Sequence, residues 1–269
     1  MTKTAANVAS DVGDHRALEM LARAGYAVNG LLHLLIAAIV VRIVIGQGGE
    51  ADQSGALQAV AGAPLGGVML WVGTIGYVGL AIWQLLDAFT GYRPGGDAAS
   101  LADRAKDAGK AGVYAVLAWT TWKFASGGST DSSESTADFT TALMGAPLGQ
   151  VLVAGVGVAV VGVAGYHVWK GLSRGFLDDL DDNADGGLGR AVIIAGVAGY
   201  VAKGLALAIV GALFGWAAWT TDPKEATGLD GAAQALSGSA GGAITLIVIA
   251  MGFVAFGLYS FARARYARL

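Results

Sequence analysis

The chain of 269 residues contains no cysteine. That absence excludes disulfides, thiolate metal sites, iron–sulfur clusters and cysteine nucleophiles. Charge is scarce as well. Asp, Glu, Lys and Arg supply 14% of the residues, against about 25% in an average soluble domain. The net charge of −3 offers no basic footprint for a nucleic acid. Four prolines without a collagen period exclude a fibrous protein. The three histidines, His15, His33 and His167, are too few to make a metal site by themselves. Motifs of catalysis are missing too. There is no Walker loop, no Gly-x-Gly-x-x-Gly after a strand, no Gly-x-Ser-x-Gly elbow and no His-Glu-x-x-His. With no acid, base and nucleophile in one constellation, no enzyme activity is expected and no cofactor is implied.

What the chain has in quantity is apolar and small. Hydrophobic residues make up 55% and glycine supplies 43 positions. This excludes intrinsic disorder and defines an all-α integral membrane protein, whose small residues let helices approach closely in lipid. A bilayer core of about 30 Å takes roughly 20 apolar residues as a helix. Six such segments lie near residues 24–45, 66–88, 111–125, 148–170, 191–218 and 242–262. The third is the shortest, and Lys106 and Lys110 at its start let the helix extend back toward Leu101 by snorkelling. The runs are continuous rather than alternating, which favours helices over a barrel.

Cations collect in alternate connections: Lys3, Arg16 and Arg23; Arg93, Arg104, Lys106 and Lys110; Lys170, Arg174 and Arg190; Arg263, Arg265 and Arg268. The opposite loops are acidic, with Glu50 and Asp52, then Asp131, Glu134 and Asp138, then Asp222, Glu225 and Asp230. By the positive-inside rule both termini face the cytoplasm. The first residues lack the pattern of a cleavable signal peptide, so the first apolar segment reads as a retained span in the plasma membrane. All seven tryptophans fall near the ends of predicted spans, as an interfacial belt requires.

The chain also repeats itself. Gly62-Ala63-Pro64-Leu65-Gly66 recurs as Gly145-Ala146-Pro147-Leu148-Gly149 and, decayed, as Gly238-Ser239-Ala240-Gly241-Gly242. Ala24-Gly25-Tyr26 before Gly30 recurs as Ala198-Gly199-Tyr200 before Gly204. Gly55-Ala56-Leu57-Gln58-Ala59 matches Gly231-Ala232-Ala233-Gln234-Ala235. The repeats occupy 18–92, 101–174 and 188–265. Around them lie an N-terminal tail, 1–17, linkers at 93–100 and 175–187, and a basic tail, 266–269. Each repeat is a two-span hairpin whose outer loop holds a short amphipathic helix, such as Ser54 to Ala61. The Gly-Ala-Pro-Leu-Gly turn ends that helix and starts the next span, with proline at the helix start. An even number of spans gives every repeat the same orientation. Three parallel two-helix repeats imply a pseudo-threefold bundle.

These three units, with their aromatic-glycine starts and Gly-Ala-Leu…Pro-Leu-Gly loops, resemble the bacterial family catalogued as domain of unknown function 1206. The resemblance runs from about Leu18 to Arg265. It implies a multi-pass plasma-membrane protein of a mainly actinobacterial family, and no activity, cofactor or catalytic residue. Two departures stand out: Ala108-Gly109-Lys110 replaces a tyrosine in the second unit, and the third lacks Pro-Leu.

Polar groups inside spans are the candidates for function. Tyr26, Asn29 and His33 share one face of the first span. Lys203 follows Tyr200 in the third repeat as Asn29 follows Tyr26 in the first. Together these five form a candidate binding site for an anion, proton or solute; alternatively, Lys203 snorkels and His33 and Asn29 bond neighbouring helices. At the inner ends of the even spans, Trp83-Gln84, Tyr166-His167 and Tyr259-Ser260 align as a candidate gate, or equally as an aromatic belt. The acidic run Asp178 to Asp185 lacks the glycine and closing glutamate of a calcium loop and reads as a solvated cytoplasmic loop. No metal site is expected, and no carboxylate stands out in a span for proton coupling.

Two functions remain. The first is a non-enzymatic structural or accessory protein that binds lipid or a membrane complex. The alternative is a small-solute or ion transporter or channel with an axial site. The expected partners are the lipid bilayer and another membrane protein or complex, with no nucleic acid.

Overall fold

The structure, a computed structural model, describes residues 5–91, 100–180 and 189–267. Nine α-helices make up nearly all of it: α1 (Ala5–Val44), α2 (Gln53–Ala61), α3 (Gly66–Thr90), α4 (Leu101–Ala125), α5 (Ser132–Met144), α6 (Gly149–Leu172), α7 (Arg190–Thr220), α8 (Gly228–Ser237) and α9 (Ala240–Tyr266). Among the described residues, five stretches are long and apolar enough to cross a membrane: Arg23–Val44, Gly66–Thr90, Gly149–Leu172, Arg190–Thr220 and Ala240–Tyr266. The expected third span lies within α4. That helix is 25 residues long, but its first half carries Asp103, Arg104, Lys106, Asp107 and Lys110 and its second half is less apolar than the five. The outer faces of the long helices are lined with large apolar side chains. All seven tryptophans are exposed, up to 82% at Trp219. In water such faces would be an aggregation hazard; in lipid they are solvated.

The chain forms two compact units. The first draws on residues up to Val28 and on Val60–Gly128; the second draws on Asn29–Ala59 and on residues from Ser129 onward. Helix α1 therefore contributes to both.

In the first unit α3 packs along α4. Gly73 lets Thr121 approach within van der Waals range of where a Cβ would stand, and Tyr77 stacks on Tyr114 at 6.3 Å. Ser100 caps α4: its hydroxyl accepts from the Asp103 amide at 3.2 Å, and the Asp103 side chain accepts from the Ser100 amide. Arg104 donates to the carbonyls of Ala88 and Phe89 at the end of α3, where a cation offsets the negative helix terminus. Asp107 is fully buried and pairs with Lys110 at 2.9 Å. Asp107 lies one turn before the apolar part of α4, outside the segment 111–125 expected as a span. It sits in the part of α4 that apolarity alone does not mark as helix.

The repeated turn has one geometry. Leu65 and Leu148 precede α3 and α6 with φ of 62° and 61°, and Gly66 and Gly149 donate to Ala63 and Ala146 at 2.9 Å. A Cβ on Gly66 would collide with the Val60 carbonyl, one on Gly149 with the Leu143 and Met144 carbonyls, and one on Gly242 with the Leu236 carbonyl. The last glycine of the motif survives in all three repeats because each span starts against the final turn of the preceding loop helix. Pro64 and Pro147 lie in the turn, before the left-handed residue, and not at the first helical position as expected. In the third repeat Gly241 stands in the leucine's place and α9 starts earlier, capped by Ser239, whose hydroxyl accepts from the Gly242 amide at 3.1 Å.

In the second unit the loop helices α2, α5 and α8 interlock. The Ser54 hydroxyl lies 2.5 Å from Ser132 and 3.2 Å from Thr130. The Ala51 amide donates to Asp230 at 2.7 Å, Ser133 to the Thr227 carbonyl at 2.8 Å, and Gln234 to the Gly49 carbonyl at 3.1 Å. Asp52, buried just before α2, accepts from the Gly55 amide at 3.1 Å. Burial pushes its carboxyl above the usual aspartate range, and the charge of Asp230 adds to the effect. Glu50 is pushed up by burial and by Asp52, Asp131 and Asp230.

Candidate functional site

Glycine brings three long helices of the second unit into backbone contact. A Cβ on Gly30 in α1 would stand 2.9 Å from the Gly257 carbonyl of α9, and a Cβ on Gly257 would stand 2.9 Å from the Gly30 carbonyl. Gly199 of α7 lies against the backbone of Phe256, and Gly252 of α9 against Ala202. Gly204 and Gly211 do the same for α7 against α6, meeting the Ala164 and Gly157 carbonyls. Small residues are the means by which helices approach in lipid. Here they draw α1, α7 and α9 together around a polar cluster.

Phe256 is the centre of that cluster. The His33 ring lies 4.6 Å from it and 5.7 Å from Phe253. The Lys203 ammonium lies 4.6 Å above the same Phe256 ring, a cation–π contact. His33 donates from Nδ1 to the Asn29 carbonyl at 2.8 Å. That bond assigns a proton to Nδ1, because a carbonyl oxygen can only accept. The Asn29 amide group donates to Ser260 at 3.4 Å, and Ser260 is buried. Asn29, His33 and Lys203 thus meet on one ring and one hydroxyl. The structure also places Lys203 along its helix. Helix α7 begins at Arg190, so Lys203 lies about 20 Å along it at 1.5 Å per residue.

One turn nearer the start of α7 is an aromatic layer. Tyr200 stacks on Phe176 at 5.5 Å and meets Phe256 and Tyr259 edge-on at 5.3 and 5.6 Å. Tyr259 donates to the Phe176 carbonyl at 3.2 Å. Phe176 is fully buried, and a Cβ on Gly196 would collide with its ring. It comes from the segment after α6, whose single 3-10 turn, Leu177–Asp179, folds under the helix ends. Asp179 fixes that segment by accepting from Lys170 at 2.7 Å and from Arg263 at 3.3 Å. Lys170 in turn lies 5.6 Å from the Tyr200 ring. An isolated antiparallel bridge joins Leu180 to Ala267.

The sequence-derived candidates divide accordingly. Asn29, His33, Tyr200, Lys203 and Tyr259 belong to one connected cluster in the second unit, and His167 lies at its edge, 5.9 Å from Tyr200 and donating to the Val163 carbonyl at 2.9 Å. Tyr166 is exposed and packs on Trp169 and His167. Tyr26, Trp83 and Gln84 belong to the first unit; Trp83 is exposed, and the buried Gln84 Oε1 has no hydrogen-bond partner among the described residues. Sequence reasoning missed Phe256, Phe176, Asp179 and Arg263. Asp179 contradicts the solvated-loop reading of the run Asp178 to Asp185: it is half-buried between two cations. Asp181 to Asp185 lie outside the described residues. The signal available for Asp179 was its place nine residues after Lys170, with basic Arg263 near the end of the last span. Among the described residues, no group of three or more His, Asp or Glu has the arrangement of a metal site.

An all-helical chain with five apolar membrane-length helices, tandem internal repeats and glycine-packed contacts is a polytopic membrane protein. It belongs to the family described as Domain of Unknown Function (DUF1206), whose model matches residues 24–91, 106–174 and 198–267. The chain is 27% identical over 258 residues to the uncharacterized protein YxxB of Bacillus subtilis (strain 168), covering 94% of this chain and 92% of the relative. No solved structure matches it.

Proposed function

We propose that this chain is a non-enzymatic plasma-membrane protein that binds lipid or a partner membrane complex. In this reading α4 is the sixth span, the three repeats are parallel two-helix units in a pseudo-threefold bundle, and both termini are cytoplasmic. Three pairings support the arrangement. Helix α4 packs on α3, α7 on α6 and α1 on α9. In each pair the first helix of one repeat meets the second helix of the repeat before it, with α1 and α9 completing the cycle.

The observation that carries the binding reading is the closure of the second unit. Backbone-level glycine contacts and a four-ring aromatic layer enclose the polar cluster, while apolar faces and tryptophans point outward. Such a surface suits assembly with lipid or another membrane protein. The test is native mass spectrometry of protein extracted gently from its own membrane. Retained lipid, or a second subunit at fixed ratio, is the expected result. A bare chain holding neither would overturn the reading.

The alternative is a carrier or channel with an axial site. It is favoured by the meeting of Asn29, His33 and Lys203 inside helices of membrane length. Solute or ion flux into liposomes that disappears with Lys203→Met would establish it and displace the first reading.

A further inference from the structure

The charge of Lys203 has no counter-ion among the described residues. Its ammonium contacts the Phe256 ring and makes no ion pair or hydrogen bond there. The four apolar stretches that supply the second unit, Arg23–Val44, Gly149–Leu172, Arg190–Thr220 and Ala240–Tyr266, contain no Asp or Glu. Asp179 is the nearest carboxylate on the adjoining segment, and it is shared between Lys170 and Arg263. A cation in that setting is costly unless something of opposite charge reaches it. One turn along α9 from Phe256 stands Ser260, bonded to Asn29 of α1, and both can donate hydrogen bonds. Ser260 accepts from the Asn29 amide, which leaves the hydroxyl proton to be donated. Asn29 has a second amide hydrogen. Lys203 itself brings three donors on a flexible stem. Ammonium, hydroxyl and amide, each from a different helix, suit an oxygen-rich anion. The level is right as well: Lys203 lies one turn, about 5 Å, beyond Tyr200, and Tyr200 touches Lys170 of the inner ionic network.

We infer that the Lys203 cluster binds a phosphate-type oxyanion, held by the Lys203 ammonium with the Ser260 hydroxyl and Asn29 amide. Its source is either the phosphodiester of an anionic lipid or free inorganic phosphate. This deepens the binding reading above and rests on it.

The experiment uses the full chain in a mild non-ionic detergent. In one arm, delipidated protein is exposed to phosphatidylglycerol or to phosphatidylcholine, and retained lipid is counted by native mass spectrometry. In the other, the unfolding midpoint is followed against sodium phosphate, with sodium chloride at matched ionic strength. The expected result is selective retention of phosphatidylglycerol or a phosphate-specific rise in midpoint. Lys203→Met should weaken it roughly tenfold or more, as losing a charged hydrogen-bond donor implies. Lys203→Arg should retain it, Ser260→Ala should weaken it to a smaller degree, and Lys224→Met in an outer loop should leave it unchanged. Response to phosphatidylglycerol alone assigns the lipid, and response to phosphate alone assigns the free anion. Selective binding that survives both Lys203→Met and Ser260→Ala overturns the site but leaves the binding reading standing. No selective binding in either arm also overturns the site; the binding reading falls with it only if native extraction yields neither lipid nor a partner subunit. Should Lys203→Met not fold, Ser260→Ala and Lys203→Arg decide the matter.

Discussion

Gly30 and Gly257 face each other across α1 and α9 so closely that a Cβ on either would stand 2.9 Å from the other's carbonyl oxygen. Both obstacles are backbone, which cannot rotate aside. Gly257→Ala should therefore lower the unfolding free energy by about 1–3 kcal/mol, in the range of overpacking. Gly162→Ala is the control: nothing lies within 4 Å of its added methyl, and helix propensity favours alanine by up to ~1 kcal/mol. Thermal unfolding in detergent should move the two variants in opposite directions. Equal shifts would disprove the close crossing.

Phe176→Ala should be the most damaging single change in the aromatic layer. The ring is fully buried between Tyr200, Tyr259 and Gly196, and truncating such a ring costs about 3–5 kcal/mol. Asp179→Asn keeps the shape but removes the charge between Lys170 and Arg263. A smaller loss is expected, on the order of 1 kcal/mol, because all three groups are partly exposed. Single and double variants measured together should be non-additive, since both residues anchor one segment.

The interlocked loop helices α2, α5 and α8 should loosen as pH rises. Asp52 and Glu50 both have their carboxyls raised in the folded protein. An acid raised by folding holds its proton longer folded than unfolded. Its contribution is full below the ordinary carboxylate range and is lost as pH climbs through the raised value. Hydrogen-exchange protection factors across residues 53–61, corrected for the intrinsic pH dependence of exchange, should be larger at mildly acidic pH than at neutral pH. Asp52→Asn can still accept from the Gly55 amide and should flatten that dependence. An unchanged pH profile in the variant would assign the effect to Glu50.

Leu65 and Leu148 stand at φ near +60° with 77% of their surface exposed. A leucine there bears a left-handed strain of about 1–2 kcal/mol, with little protein packing to offset it. Replacing either by glycine should raise the unfolding midpoint in detergent. If the side chain anchors to lipid, the same change should show no gain in bilayers. A fall in detergent would mean the side chain has a protein contact that its exposure does not suggest.

The long helices were legible from sequence because a 20-residue apolar run has few other uses. The loop helix expected from Ser54 to Ala61 runs from Gln53 to Ala61, and α4 starts at Leu101, where the lysines allowed. Asn29, His33 and Lys203 were legible as polar residues in apolar surroundings. Their common contact, Phe256, was not, because one aromatic in an apolar helix looks like any other. Asp179 was hidden for the opposite reason: among many aspartates, composition cannot say which one turns back toward a lysine. Asp107 lay in a charged stretch that apolarity does not assign to a helix, so its burial had no signature.

Asn29 and Ser260 are bonded across 231 residues of chain, and the α1–α9 crossing lies beside them. During synthesis α1 is made well before its glycine-matched partner α9. Until α9 arrives, Gly30, Asn29 and His33 remain without the contacts that cover them. Deleting α9 should therefore first unsettle α1. A membrane quality-control protease would meet an unfinished chain with a polar seam open in its first span and a finished chain with that seam shut.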